Sequence, residues 1–279
     1  MAIFGSRNKT RTEGEMSFLE HLEALRWHIV RSVGVIFVAA IVLFCYKDFL
    51  FDDILLAPKN PNFPTYRALC WLSNYFNLGG DLCVTKIEFT LISTDLSSQF
   101  TTHMWAAIVG GLVLGFPFLV YELWKFIKPA LKDKERKYAK GIVFYTSFLF
   151  LTGVLFGYYV ITPMSVNFLG TYQVSADVKN TITLDSFIGT VTTLTLMTGL
   201  VFELPIVIYF LSKIGIMSPS FMRKYRRHAV VIILIVAAII TPTSDATTLM
   251  LVAIPLWILY EISIFVSAYV MKGKEQEIT

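Results

Sequence analysis

Glu203 is the only charged residue in Phe187–Ser212, a run of 26 residues long enough to cross a bilayer. A charged side chain at that depth costs roughly 2.5–3.5 kcal/mol, so it normally faces a polar interior, a water-filled cavity or a partner protein. Two readings fit: a functional polar group, or a structural acid with internal hydrogen bonds. Pro205 follows two residues later. Proline removes a backbone donor and kinks a helix, which opens a polar patch beside the carboxylate. A second acid, Glu135, lies in the basic tract Tyr121–Lys137, close to Trp124 and Phe126. This tract reads either as a solvated loop with an aromatic anchor or as a recognition surface pairing an apolar contact with an anionic one.

The acids before the first apolar run have local readings. Ser17 and Glu20 fit a capping box, which gives Glu20 a structural role. Glu23 can form an i,i+3 pair with Arg26, worth only a few tenths of a kcal/mol. Asp245 falls in the turn between the last two apolar runs and fits a helix cap. Glu261 is read as a structural pairing and Glu122 as interfacial. Cys70 and Cys83 share the first long loop and are read either as a bridge or as two unrelated thiols. No Gly-x-x-x-x-Gly-Lys-Ser/Thr loop, Gly-x-Ser-x-Gly elbow or His-x-x-x-His pair occurs, so enzymatic chemistry, a metal and a cofactor have no positive support.

The elements that must position these residues are membrane helices. The chain is 55% hydrophobic and 16% charged, with a mean hydropathy of +0.63. Soluble domains carry about 25% charge. The spacing predicts six spans, at His28–Tyr46, Met104–Leu123, Gly141–Thr162, Phe187–Ser212, Ala229–Thr241 and Leu249–Val270. The fifth is too short for the roughly 20 residues a crossing needs, and the last two read as a short hairpin. The expected organisation is an N-terminal arm over residues 1–27 with an interfacial helix, a membrane domain over 28–271 and a tail over 272–279. Within it, outer loops span 47–99 and 163–186, and basic loops span 124–140 and 213–228. Pro58 lies in the first outer loop, and Pro117 inside the second span. Basic residues number 18 on the side of both termini and five on the other. This bias places both termini in the cytoplasm. A pI near 8.8 could suggest nucleic acid, but the positive charge falls in short loops between apolar runs and points to membrane orientation instead.

The ordered motifs resemble the TatC family, the multi-span core of the twin-arginine protein translocase. They are His21-Leu-Glu-Ala-Leu-Arg26, Ala57-Pro58, Pro117 through Phe126, Pro129-Ala-Leu, Glu135-Arg136, Phe202-Glu-Leu-Pro205, Thr241-Pro242 with Asp245, and Ala253-Ile-Pro255 followed by Leu259-Tyr-Glu261. The resemblance implies an all-α integral membrane protein with six helices in a cup-like bundle. It implies a receptor and scaffold in the bacterial cytoplasmic membrane that binds twin-arginine signal peptides of folded cargo. Export would use the proton-motive force. Implied partners are small single-span TatA/TatB-type proteins, membrane lipids and further copies in an oligomeric assembly; nucleic acid is not among them. Phe126 and Glu135 match positions tied to signal recognition. The second Glu of the N-terminal signature is Ala24 here, which leaves Glu23 or Glu20 to supply that acid. Glu203, Thr241 and Asp245 match polar positions tied to partner docking. Pro58, Pro117 and Pro205 match structural positions. A different class of function, a proton-coupled small-molecule transporter titrating at Glu203, is the alternative expectation.

Overall fold

The computed structural model describes residues 18–76, 83, 89–127, 139–175, 180–241 and 246–278, without the side chains of 18–21, 139–140, 247 and 273–278. Among these, five helices are long and apolar enough to cross a membrane: Leu22–Cys45, Ser98–Ile127, Gly141–Thr171, Leu184–Ile214 and Thr248–Lys272. With no water in the hydrocarbon, each backbone amide must be satisfied within its own segment, so long apolar runs fold as helices. The first span is α1 (Phe18–Cys45) and the second is α3 (Ser98–Ile127). The third comprises α4 (Ala139–Phe156), a π-helical turn (Gly157–Ile161) and α5 (Thr162–Thr171). The fourth comprises α6 (Leu184–Val201) and α7 (Leu204–Ile214). The short α8 (Pro219–Lys224), α9 (Arg226–Ile240) and α10 (Ala246–Ile278) complete the chain.

Glycines set the closest helix approaches. A Cβ on Gly111 of α3 would lie 2.8 Å from the Ala40 nitrogen and 2.8 Å from the Ile36 oxygen of α1, so backbone meets backbone there. A Cβ on Gly153 of α4 would come 2.7 Å from the Phe202 ring. In membranes, where apolar surface gains nothing by leaving lipid, such close packing supplies much of the association. The α1–α3 pairing is antiparallel. His28 meets Glu122, Ile36 meets Gly115, and Phe44 stacks on His103.

Several boundaries differ from the sequence reading. Among the described residues of the N-terminal arm, α1 runs unbroken from Phe18 into the first span, with no break between an interfacial helix and that span. Ser17 and its capping box lie outside the described residues. The third span continues to Thr171, beyond the loop boundary expected at 163. Pro163 occupies a first-turn position of α5, where a missing N–H costs little, so it does not end the span. The expected brevity holds for α9, with 15 residues, but α10 has 33. Its helix carries on past the apolar segment into the charged tail.

The first outer segment is structured as well. It folds into a π-helical turn (Phe49–Leu55), a 3₁₀ turn (Ala57–Lys59), α2 (Pro64–Tyr75) and β1 (Thr90–Ile92). Its prolines read as loop formers in sequence, yet Pro64 opens α2 at a first-turn position. β1 pairs in parallel with β2 (Thr181–Thr183), in the register Thr90 to Thr181, and ties the two outer segments together. The buried Tyr66 hydroxyl donates to the carbonyls of Pro58 (3.1 Å) and Pro163 (2.8 Å). Burial pushes that phenol above its ordinary range and keeps it a donor. Cys70 and Cys83 are joined by a disulfide with Cα atoms 4.3 Å apart.

Candidate functional site

One end of the molecule gathers the start of α1 and the end of α3. Helix geometry puts Glu23 one turn before Trp27 and His28, and antiparallel pairing brings Phe126 to the same level. The His28 and Phe126 rings meet edge to face, with centroids 6.0 Å apart. Beneath them Glu122 is only 4% exposed. Its Oε2 lies 2.5 Å from His28 Nδ1 and 3.9 Å from Arg31 Nη1. An Nδ1–H donating to the carboxylate satisfies both groups, and Arg31 adds positive charge from its exposed position. Trp124 on the same turn is buried against Phe210, with centroids 5.6 Å apart. The end of α3 is therefore fixed on both sides, and Phe126 stands half-buried at its rim.

Glu23 is exposed at this end, and no ion pair to Arg26 forms. Glu20 lies in the first turn of α1, but its side chain is outside the described residues, as are Glu135 and Asp245 altogether. Glu122 was read from sequence as interfacial; the structure instead buries it and gives it partners. The available signal was a pairing one. His28 and Glu122 each sit at the basic end of an adjacent span, where antiparallel packing brings them together.

The second site is the break between α6 and α7. Pro205 has no N–H to give the Val201 carbonyl, and the chain tightens there. Glu203 N donates to Leu200 O at 3.1 Å, three residues back instead of four. The turn carries Glu203 between two helical segments. Both of its carboxylate oxygens are enclosed, and neither has a hydrogen-bond partner among the described residues; the Phe150 backbone is the nearest polar neighbour. An enclosed polar group without a partner costs about 1–3 kcal/mol. Thr241 does not share this site. Its buried hydroxyl is committed to Ala237 O at 2.9 Å, closing the end of α9.

Farther along α6, a groove of ≈ 330 Å³ opens toward α9. Ser186, Gly189, Thr190 and Thr193 line one wall, with Ile239 and Ile240 on the other. Pro117 lies half-buried inside α3, and Pro205 is buried at the start of α7. Near the basic end, Arg226 Nη2 donates to Glu261 at 2.6 Å, which gives Glu261 a structural partner.

Comparison with known proteins adds to this geometry. A family model described as Sec-independent protein translocase protein (TatC) matches residues 20–255. A relative from Blattabacterium sp. subsp. Periplaneta americana, named Sec-independent protein translocase protein TatC, is 41% identical over 263 residues, covering 94% of this chain and 98% of its own. The protein of the same name from Carboxydothermus hydrogenoformans is 33% identical over 261 residues, covering 93% of this chain and 96% of its own. A crystal structure described as a twin arginine translocase receptor, TatC, aligns with a TM-score of 0.66 at 28% identity, covering 90% of this chain and 100% of that one. A second crystal structure of a TatC receptor, in DDM, aligns with a TM-score of 0.68 at 28% identity, covering 89% of this chain and 99% of that one.

Proposed function

Because the chain belongs to the TatC family of Sec-independent protein translocase components, we propose that it is the signal-peptide receptor and scaffold of a twin-arginine translocase. It is a multi-pass membrane protein. In this reading it lies in the bacterial cytoplasmic membrane with both termini inside, and α9 serves as a short additional span that brings the total to six. The observation that supports the reading is the meeting of the start of α1 with the end of α3, where the Phe126 ring lies edge to face against His28 and His28 pairs with the buried Glu122.

Two guanidiniums on a signal peptide need carboxylates that can accept in a planar, two-pronged fashion, which distinguishes Arg from Lys. Glu23, with Glu20 beside it in sequence, supplies one acid and Glu135 the other. Phe126 offers an apolar face to the segment that follows the arginines. In this reading export draws on the proton-motive force, as membership of the family implies; the sequence carries no Gly-x-x-x-x-Gly-Lys-Ser/Thr loop for hydrolysing nucleotide itself. Glu203 and the hydroxyl-lined groove on α6 receive single-span TatA/TatB-type partners, and Thr241 and Asp245 shape the outer end of that surface. A partner that brings a donor to Glu203 relieves the cost of its enclosed carboxylate, which gives the site a reason for its vacant bonding capacity.

The test is cross-linking to a twin-arginine precursor in membranes. Phe126→Ala and Glu135→Ala should each abolish the cross-link while the protein still inserts. A precursor with both arginines changed to lysine should bind far more weakly. Equal binding of the lysine precursor rules the reading out. Solute uptake that depends on Glu203 without any partner protein would favour a proton-coupled transporter instead.

A further inference from the structure

We propose that α2 is an interfacial anchor, seated in the headgroup boundary of the leaflet opposite the basic end, with Trp71 and Tyr75 in phospholipid. The helix has two apolar sides. One is taken up by the protein: Tyr66 is 1% exposed and Ser73 is fully buried, with Leu69 and Cys70 partly covered between them. The opposite side carries Ala68, Trp71, Leu72 and Tyr75. Trp71 is 66% and Tyr75 is 70% exposed, and their rings stack at 5.6 Å between centroids. Phe76, at 60% exposed, extends the patch. A helix apolar on the side facing away from its protein needs a second apolar medium.

The tethers set the depth of α2. The Thr65 hydroxyl donates to the Tyr159 carbonyl in the π-helical turn of the third span. The Tyr66 hydroxyl reaches Pro163 itself. The apolar third span starts at Gly141. A hydrocarbon thickness of about 30 Å takes about 20 residues at about 1.5 Å each, so its far boundary falls near Ile161. The start of α2 is thus pinned at that boundary. The span itself continues to Thr171, roughly 15 Å higher. Tryptophan and tyrosine concentrate at this level of a bilayer because each joins an apolar ring to a polar group.

A buried ring adds a further tether to the third span: Phe63, just before α2 and only 5% exposed, stacks on Tyr159 at 5.6 Å. Arg67 lies exposed on the edge of α2, placed for lipid phosphate. The Cys70–Cys83 disulfide adds a covalent link at the second turn of α2, on the side away from Trp71 and Tyr75.

A photo-reactive benzoylphenylalanine in place of Trp71, activated in native membranes, should give a phospholipid adduct by mass spectrometry. An adduct to a second copy of this chain or to another protein overturns the proposal, and so does the absence of any adduct. Wild-type protein in phosphatidylglycerol–phosphatidylethanolamine vesicles supplies a second reading. Trp71→Phe should lose an emission component that a nitroxide high on the acyl chain quenches and aqueous iodide does not. If iodide quenches that component, α2 stands in water and the proposal is wrong.

Discussion

Glu122 and Glu203 are both acids enclosed by membrane helices, yet their surroundings are opposite. Glu122 is held at 2.5 Å by His28 and approached by Arg31, while neither oxygen of Glu203 has a partner among the described residues. A buried charge that is paired fixes the groups around it, and losing one partner is costly because the other is stranded. A buried acid with no partner does no such work in the isolated chain. Its cost is recovered only when something else brings a donor. Under the proposed function the two acids would divide the labour: one would hold the rim around Phe126 in shape, and the other would be left for a partner to satisfy.

The largest effect should come from the paired acid. Glu122→Ala strands His28 and should lower unfolding stability in detergent by about 3–5 kcal/mol. A loss under about 1 kcal/mol would mean the pair fixes nothing. Glu203→Leu should act in the other direction and raise the stability of the isolated chain by about 1–3 kcal/mol. Co-purification of single-span partners should fall in the same variant. A destabilised Glu203→Leu protein would make Glu203 a structural acid and erase the contrast. Replacing the whole pair, His28→Leu with Glu122→Leu, should leave stability within about 1.5 kcal/mol of the parent, since well-packed apolar groups can substitute for a buried pair. The cross-link to precursor should still weaken in this variant, because Phe126 loses its edge contact. Smallest of all is the half-exposed pair at the basic end, where Arg226 is 47% and Glu261 26% exposed. Arg226→Ala should cost only about 0.2–1 kcal/mol in the same unfolding assay, with the effect shrinking in high salt.

The sequence exposed Glu203 clearly, because a lone acid in a 26-residue apolar run needs no neighbour to be noticed. It hid Glu122, which stands at the edge of a run where charged residues are ordinary. Only the α1–α3 register, with Gly111 against the Ala40 backbone, shows that His28 lies opposite. The helix inside the outer segment is hidden for a related reason. Pro58 does sit in a turn, but Pro64 serves as the first residue of α2, and the tether from Thr65 to Tyr159 spans 94 positions. No local pattern carries a contact of that range. The parallel pairing of β1 with β2 escaped notice likewise, since three-residue strands leave almost no periodic signal.

By itself, the sequence determined that this chain is a helical membrane protein, because apolar run length and backbone hydrogen bonding allow little else in hydrocarbon. It also determined that the amide missing at Pro205 weakens the helix beside Glu203, because proline cannot donate a hydrogen bond in any fold; that the helix breaks there while α3 runs unbroken through Pro117 is read only from the structure. The tertiary structure alone decided which acids are satisfied. Whether a carboxylate finds a partner depends on which residues other helices bring within about 3 Å, and that follows from packing register and not from the order of residues along one span.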